Sequence, residues 1–174
     1  MMCIGYQSLQ GIILSASLLY RDREVTKEEM QLRDKALEVA YTSVLLAQRL
    51  QKKYLDQIYM LGLSHTLGDF LAIQKQCDSD LPLGLIASLV ARKWNFPEEI
   101  CLILLRSQEP LKDKYKNNIA EKAALIHIAV KINEGTDETY IVRGLEAFGV
   151  SSEKSLELYQ ELKTVTDEGF QLTW

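Results

Sequence analysis

The sequence predicts an all-α fold built as a single domain, and three observations carry that expectation. Apolar residues recur at helical spacing along almost the whole chain, and no run alternates long enough to read as a strand. Nine Gly and three Pro are too few for a sandwich or barrel, which needs a turn about every ten residues. A length of 174 residues, 47% hydrophobic and 25% charged, suits one globular domain with a core of its own. No internal repeat and no low-complexity segment interrupts the pattern.

Leu9, Ile12, Ile13, Ala16, Leu19 and Tyr20 line one face of an expected first helix. No Lys or Arg precedes this stretch, so it lacks the basic start of a signal peptide, and it is too short to span a bilayer. After a charged connector at Arg21–Val25, Thr26 and Glu29 form a capping-box pattern that opens a second helix, expected to reach about Tyr54. Leu37, Ala40, Val44, Ala47 and Leu50 mark its expected inner side. Glu29 and Arg33, four apart, read as part of a solvated face.

Helices are then expected over Leu55–Ser64 and His65–Gln76, with Gly62 and Gly68 at a bend or close approach. Leu81-Pro82 opens another, with Leu85, Ile86, Leu89, Val90 and Trp94 apolar and Trp94 expected as a large core anchor. Asn95 to Glu99 breaks the chain and restarts it, because Pro97 suits a helix start and Glu98 and Glu99 suit the first turn. Ile100–Leu105 is expected to be buried, and 112–118 to be a polar loop. Ile119, Ala123, Ile126 and Val130 stripe a helix whose other side carries Leu125, Ile128 and Ile132. A helix apolar nearly all round belongs in the middle of a bundle. Gly135 ends it, and Asp137–Phe148 and Ser152–Val165 follow, the latter amphipathic through Leu156, Tyr159 and Leu162.

Lys and Arg total 20 and Asp and Glu total 24, giving a net charge of −4 and a pI near 5.3. That balance argues against a dedicated nucleic-acid binder. Residues 134–174 hold nine acids against Arg143, Lys154 and Lys163, so the acidity is concentrated in a C-terminal face. Cys3, Cys77 and Cys101 give neither a disulfide framework nor a metal spacing and suit a reducing cytoplasm. Searched for known chemistry, the chain has no GxSxG, HExxH, P-loop or dinucleotide fingerprint. His65 and Asp69, four apart, would share a helical face but cannot alone hold a catalytic metal. His127 reads as a satisfied core histidine. Lys112, Lys114 and Lys116 around Tyr115 form a weak phosphate-contact pattern, interrupted by Asp113.

Leu61-Gly-Leu-Ser-His-Thr-Leu-Gly68 resembles the Gly-Leu-Leu-His-Asp-Ile-Gly signature of HD-type metal phosphohydrolases and their HDOD relatives. Ile4-Gly5 with Leu9–Leu19, Tyr41-Thr-Ser43 with Leu46-Ala47, Leu89 to Ile100 with Trp94 and Pro97, and Ala124–Ile132 resemble further HDOD elements in the family's order. The resemblance implies an HD-like helical core over 1–135, with 136–174 as C-terminal helices packed on the same domain. Gly62, Gly68, Trp94 and Pro97 would be structural signature positions. It also leaves the family's N-terminal helical subdomain without a counterpart.

The metal set implied by the resemblance is degenerate. Thr42 stands for the first ligand histidine and Thr66 for the aspartate after His65. Gly84, Ser107 and Gln108 stand where further histidines are often found, and Val130 stands for the late aspartate. An HD centre needs that constellation to generate hydroxide. The expectation is therefore no catalytic residue, no bound metal and no cofactor. The implied role is that of a cytoplasmic regulatory or signalling module acting by protein contact, with unnamed protein partners or a homodimer, and neither nucleic acid nor membrane. HDOD proteins often accompany receiver or cyclic-dinucleotide domains, for which this chain has no room. The alternatives are a divergent phosphohydrolase or phosphodiesterase using His65 and Asp69, and an unrelated helical adaptor.

Overall fold

The computed structural model describes residues 26–73, 81–109, 111, 114, 115 and 117–168. The expected first helix with Ile4-Gly5, the thiols of Cys3 and Cys77, and Lys112, Asp113 and Lys116 lie outside these residues. The described chain is helical, with no strand: α1 Lys27–Arg49, α2 Leu55–Ser64, α3 Leu67–Ile73, α4 Leu83–Lys93, α5 Glu98–Arg106, α6 Asn118–Asn133, α7 Glu138–Glu146 and α8 Ser152–Asp167. It forms a single compact bundle around one apolar core.

α1 begins where its capping box predicts. Thr26 Oγ1 accepts from the Glu29 amide and Glu29 Oε2 accepts from the Thr26 amide, both at 3.2 Å. Such caps stabilise a helix by about 1 kcal/mol. Glu29 is buried at 2% exposure, which corrects its reading as part of a solvated face. α1 stops five residues before Tyr54, because Gln51 takes a left-handed φ of 55°. Its amide then bonds Gln48 O and the Lys52 amide bonds Ala47 O, the paired closing bonds of a Schellman motif.

The inner face of α1 also differs from expectation. Ala36, Val39, Ala40, Thr42, Ser43, Leu46 and Ala47 are buried, while Leu37, Val44 and Leu50 are only partly so. Small residues form the tighter seam because they let neighbouring backbones approach. A Cβ built on Gly62 of α2 would lie 2.5 Å from Ala40 Cα, so glycine permits this α1–α2 contact. Gly68 likewise lies under the Leu83 carbonyl, bringing α3 onto the start of α4.

Trp94 is not a core anchor: it is 49% exposed at the C-terminal end of α4. Asn95, at φ 57°, turns the chain there, and Phe96, whose amide bonds Ala91 O, packs against the core instead. Leu89, half-exposed, also faces outward. Pro82 and Pro97 each sit one position before their helices as caps.

α6 is buried on most sides and packs on α1, α2, α5, α7 and α8, the central position its all-round apolar pattern predicts. Gly135, at φ 68°, ends it. α8 buries Ser155, Leu158, Tyr159 and Leu162 against α1, α6 and α7, with Leu156 at the margin of that seam.

Candidate functional site

Three helices meet where α2 ends. His65 caps α2, and α1, α2 and α6 each pack on the other two. His65 Nδ1 bonds the Gly62 carbonyl. A carbonyl only accepts, so Nδ1 carries the proton and Nε2 presents a lone pair. Nε2 is buried and has no hydrogen-bond partner. Burial pushes this imidazole down to about 4, and the Lys35 ammonium adds to that against the Gly62 carbonyl.

Thr42 is buried on α1, and its Oγ1 accepts from Asn133 Nδ2 at 3.1 Å. The second Asn133 amide hydrogen goes to Ala129 O at 2.8 Å, which fixes the amide orientation. Asn133 Oδ1 is then left buried without a partner. Next to it, Glu134 bridges Lys35 Nζ at 3.3 Å and Lys131 Nζ at 2.8 Å. Burial alone would raise the Glu134 carboxyl, but the two ammonium groups hold it below its ordinary value. Asp69, half-buried on α3, is raised by burial against the pull of Lys35. Lys35 and Glu134 thus act on both His65 and Asp69, so these groups share one patch.

The structure divides the seven positions singled out in the sequence into two groups. In the first, Thr42 bonds Asn133 between α1 and the end of α6, His65 and the buried Thr66 follow the end of α2, and Val130 is partly buried one turn before Asn133. Gly84, Ser107 and Gln108 belong to a second cluster at the start of α4 and the end of α5. Gln108 Oε1 accepts from the Gly84 amide at 3.0 Å. The Ser107 carbonyl accepts from His127 Nδ1 at 2.9 Å, and Tyr140 Oη meets His127 Nε2 at 3.0 Å. The Leu111 amide donates to Tyr140, leaving that hydroxyl proton for His127. His127 is therefore a partnered core histidine, held below its ordinary pKa by burial.

Asn133, Lys35, Glu134 and Tyr140 were not singled out by their sequence context. An asparagine in the last turn of a helix ordinarily reads as a solvated end. Among the described residues, no three of His, Cys, Asp and Glu gather closely enough to hold a metal ion. Tyr115 packs inward on Phe148, ring centroids 4.6 Å apart, and is taken up by the core margin rather than offered to phosphate. No helix among the described residues is long and apolar enough to cross a membrane. No protein-family model, curated protein or solved structure matches the chain.

Proposed function

We propose that the chain is a cytoplasmic, non-catalytic regulatory module, HD-like and related to HDOD domains, that acts by contact with a protein partner. One observation carries this reading: the Asn133 amide donates to Thr42 Oγ1 at 3.1 Å. Thr42 stands where the resemblance puts the first metal-binding imidazole. A cation centre needs converging lone pairs, whereas here an N–H donor is aimed at that position. The neighbouring carboxylate of Glu134 is already paired with two lysines. Of the seven metal-set positions only His65 has a ligand-type side chain.

Contact is supported by apolar groups on the outside. Leu89 and Trp94 at the end of α4 and Leu105 on α5 are 38–50% exposed. Partner proteins or a second copy of the chain would use such side chains.

The test is metal content and turnover of untagged protein. The expected result is no metal retained after chelation and no Mn²⁺-supported phosphodiester hydrolysis that depends on His65. One chelator-resistant metal per chain, or hydrolysis abolished by His65→Ala, would replace this reading with that of a divergent phosphohydrolase.

A further inference from the structure

The start of α7 is a weakly built helix end. Its cap residue, Asp137, makes no side-chain bond to the first turn. The Tyr140 and Ile141 amides both reach back to Asp137 O, at 3.2 and 3.4 Å, longer than an ordinary helical bond. Beyond the apolar hold of the buried Ile141, this turn is fixed by Tyr140 Oη, which meets His127 Nε2 at 3.0 Å and the Leu111 amide at 3.4 Å. The bond to His127 has a set direction. Nδ1 donates to Ser107 O at 2.9 Å, so Nε2 is a lone pair and takes the Tyr140 hydroxyl proton.

A proton on Nε2 sets a second donor against that hydroxyl, whose own hydrogen must then find another acceptor. The imidazolium so formed is poorly served. His127 is 7% exposed, and α5 and α7 face it with the Ser107 carbonyl and the Tyr140 hydroxyl. The charges acting on it from its own helix are Lys131, which opposes a cation, and Glu134, already paired with Lys131 and with Lys35 of α1. An opening that brings Nε2 to water therefore binds the proton more tightly than the closed bundle does. α6 is the central helix, so the opening of least cost is the one that parts Tyr140 from His127. We propose that His127 is a protonation switch for α7: a proton on Nε2 expels the Tyr140 hydroxyl and loosens the first turn of α7 while the rest of the bundle stays folded. That turn carries the exposed Glu138 and Thr139, so a contact module gains an acid-responsive patch of surface.

Amide hydrogen exchange on the full chain from about pH 7.5 down to about pH 4.5, read as protection relative to the intrinsic rate, is the test. Protection at Tyr140 and Ile141 should begin to fall below about pH 6.5, where an exposed imidazole takes its proton. The fall should reach about tenfold per pH unit, the slope of one proton, while the Leu125 and Leu158 amides keep theirs. It should level off where the ¹⁵N ring signals of His127 titrate. His127→Gln, which takes no proton, should make α7 protection independent of pH. The switch is overturned if α7 protection is flat in the native chain, if Leu125 and Leu158 lose protection in parallel, or if the His127 ring titrates at or above its ordinary value. A fall retained in His127→Gln overturns it in favour of the carboxylates. The native-chain readouts decide the matter even where His127→Gln does not fold.

Discussion

Asn133 Nδ2 donates to Thr42 Oγ1 at 3.1 Å, joining the last turn of α6 to the middle of α1 across 91 positions of sequence. Thr42→Val keeps the shape of the side chain but removes the acceptor, leaving a buried amide hydrogen unmatched. That should cost about 1–3 kcal/mol. Thr42→Ser keeps the hydroxyl and loses one methyl, so it should cost about 1 kcal/mol. Urea unfolding gives the order. Serine proving worse than valine would make this contact a matter of packing alone.

Gly62→Ala tests the closest helix approach. Its Cβ would meet Ala40 Cα at 2.5 Å and Ala40 N at 3.0 Å, so backbone must move. Overpacking of this kind costs about 3 kcal/mol. Gly144→Ala is the comparison, since the nearest atoms to its Cβ belong to the side chains of Leu111 and Ile128 and not to backbone, and the closest is Cδ1 of the partly buried Leu111. It should cost about 1 kcal/mol or less. Equal melting temperatures for the two variants would mean that α1 and α2 separate easily.

The contrast between legible and illegible features follows from how local each signal is. Thr26 with Glu29, Pro97 with its following acids, and Gly135 act within one turn, and each marks a helix end where expected. The end of α1 was hidden because Gln51, not a glycine, takes the left-handed position. Asn95 does the same after Trp94, and so turns an apparent anchor outward. In α1, leucines and valines drew the inner face toward Leu37 and Val44, yet close helix packing favours its alanines, Thr42 and Ser43. At the candidate site, Thr42 and His65 were reachable through resemblance. Asn133 was not, because its partner lies on another helix and no spacing encodes it.

The exposure of Trp94 has a direct consequence. Trp94→Ala removes a side chain that is 49% exposed and touches Phe96 at 6.5 Å between centroids. Its cost should be about 1 kcal/mol, well below the roughly 3–5 kcal/mol of a buried aromatic. Phe96→Ala should cost more, about 2 kcal/mol, because Phe96 packs against the core. A larger loss at Trp94 than at Phe96 in urea melts would reverse their assigned roles.

Stability should fall as the solution is acidified, beginning before the carboxylates titrate. Burial holds His65 down at about 4 in the fold against about 6.5 in the unfolded chain. Between those values the unfolded state binds the extra proton, so the His65 contribution is complete above pH 6.5 and is lost as pH falls toward 4. The loss is on the order of 2–3 kcal/mol, and burial of His127 adds in the same direction. Asp69 and Glu38, raised by burial, offset part of it. His65→Asn can still donate to Gly62 O but cannot take a proton. Its urea midpoint should therefore change less between pH 7 and pH 5 than that of the native chain. Identical changes would assign the acid sensitivity to other groups.

Lys122 is 3% exposed on α6, with Nζ bonded to Gln57 Oε1 at 2.5 Å and Glu99 Oε1 at 2.7 Å and lying 4.8 Å above the Tyr54 ring. One ammonium thus ties α2, α5 and α6 together. Its worth divides between the charge and the four-carbon stem, and two substitutions separate them. Lys122→Met keeps the stem and removes the charge. Glu99, at 40% exposure, can then turn to water, while Gln57 loses a donor in a buried place. The expected cost is about 1–2 kcal/mol. Lys122→Ala also empties the space beneath Tyr54 and should cost about 2–4 kcal/mol. If the two variants melt alike in urea, the ion pair and not the stem holds this corner of the bundle. If Lys122→Met is as stable as the native chain, desolvation of the ammonium cancels its bonds, as it does for many buried pairs.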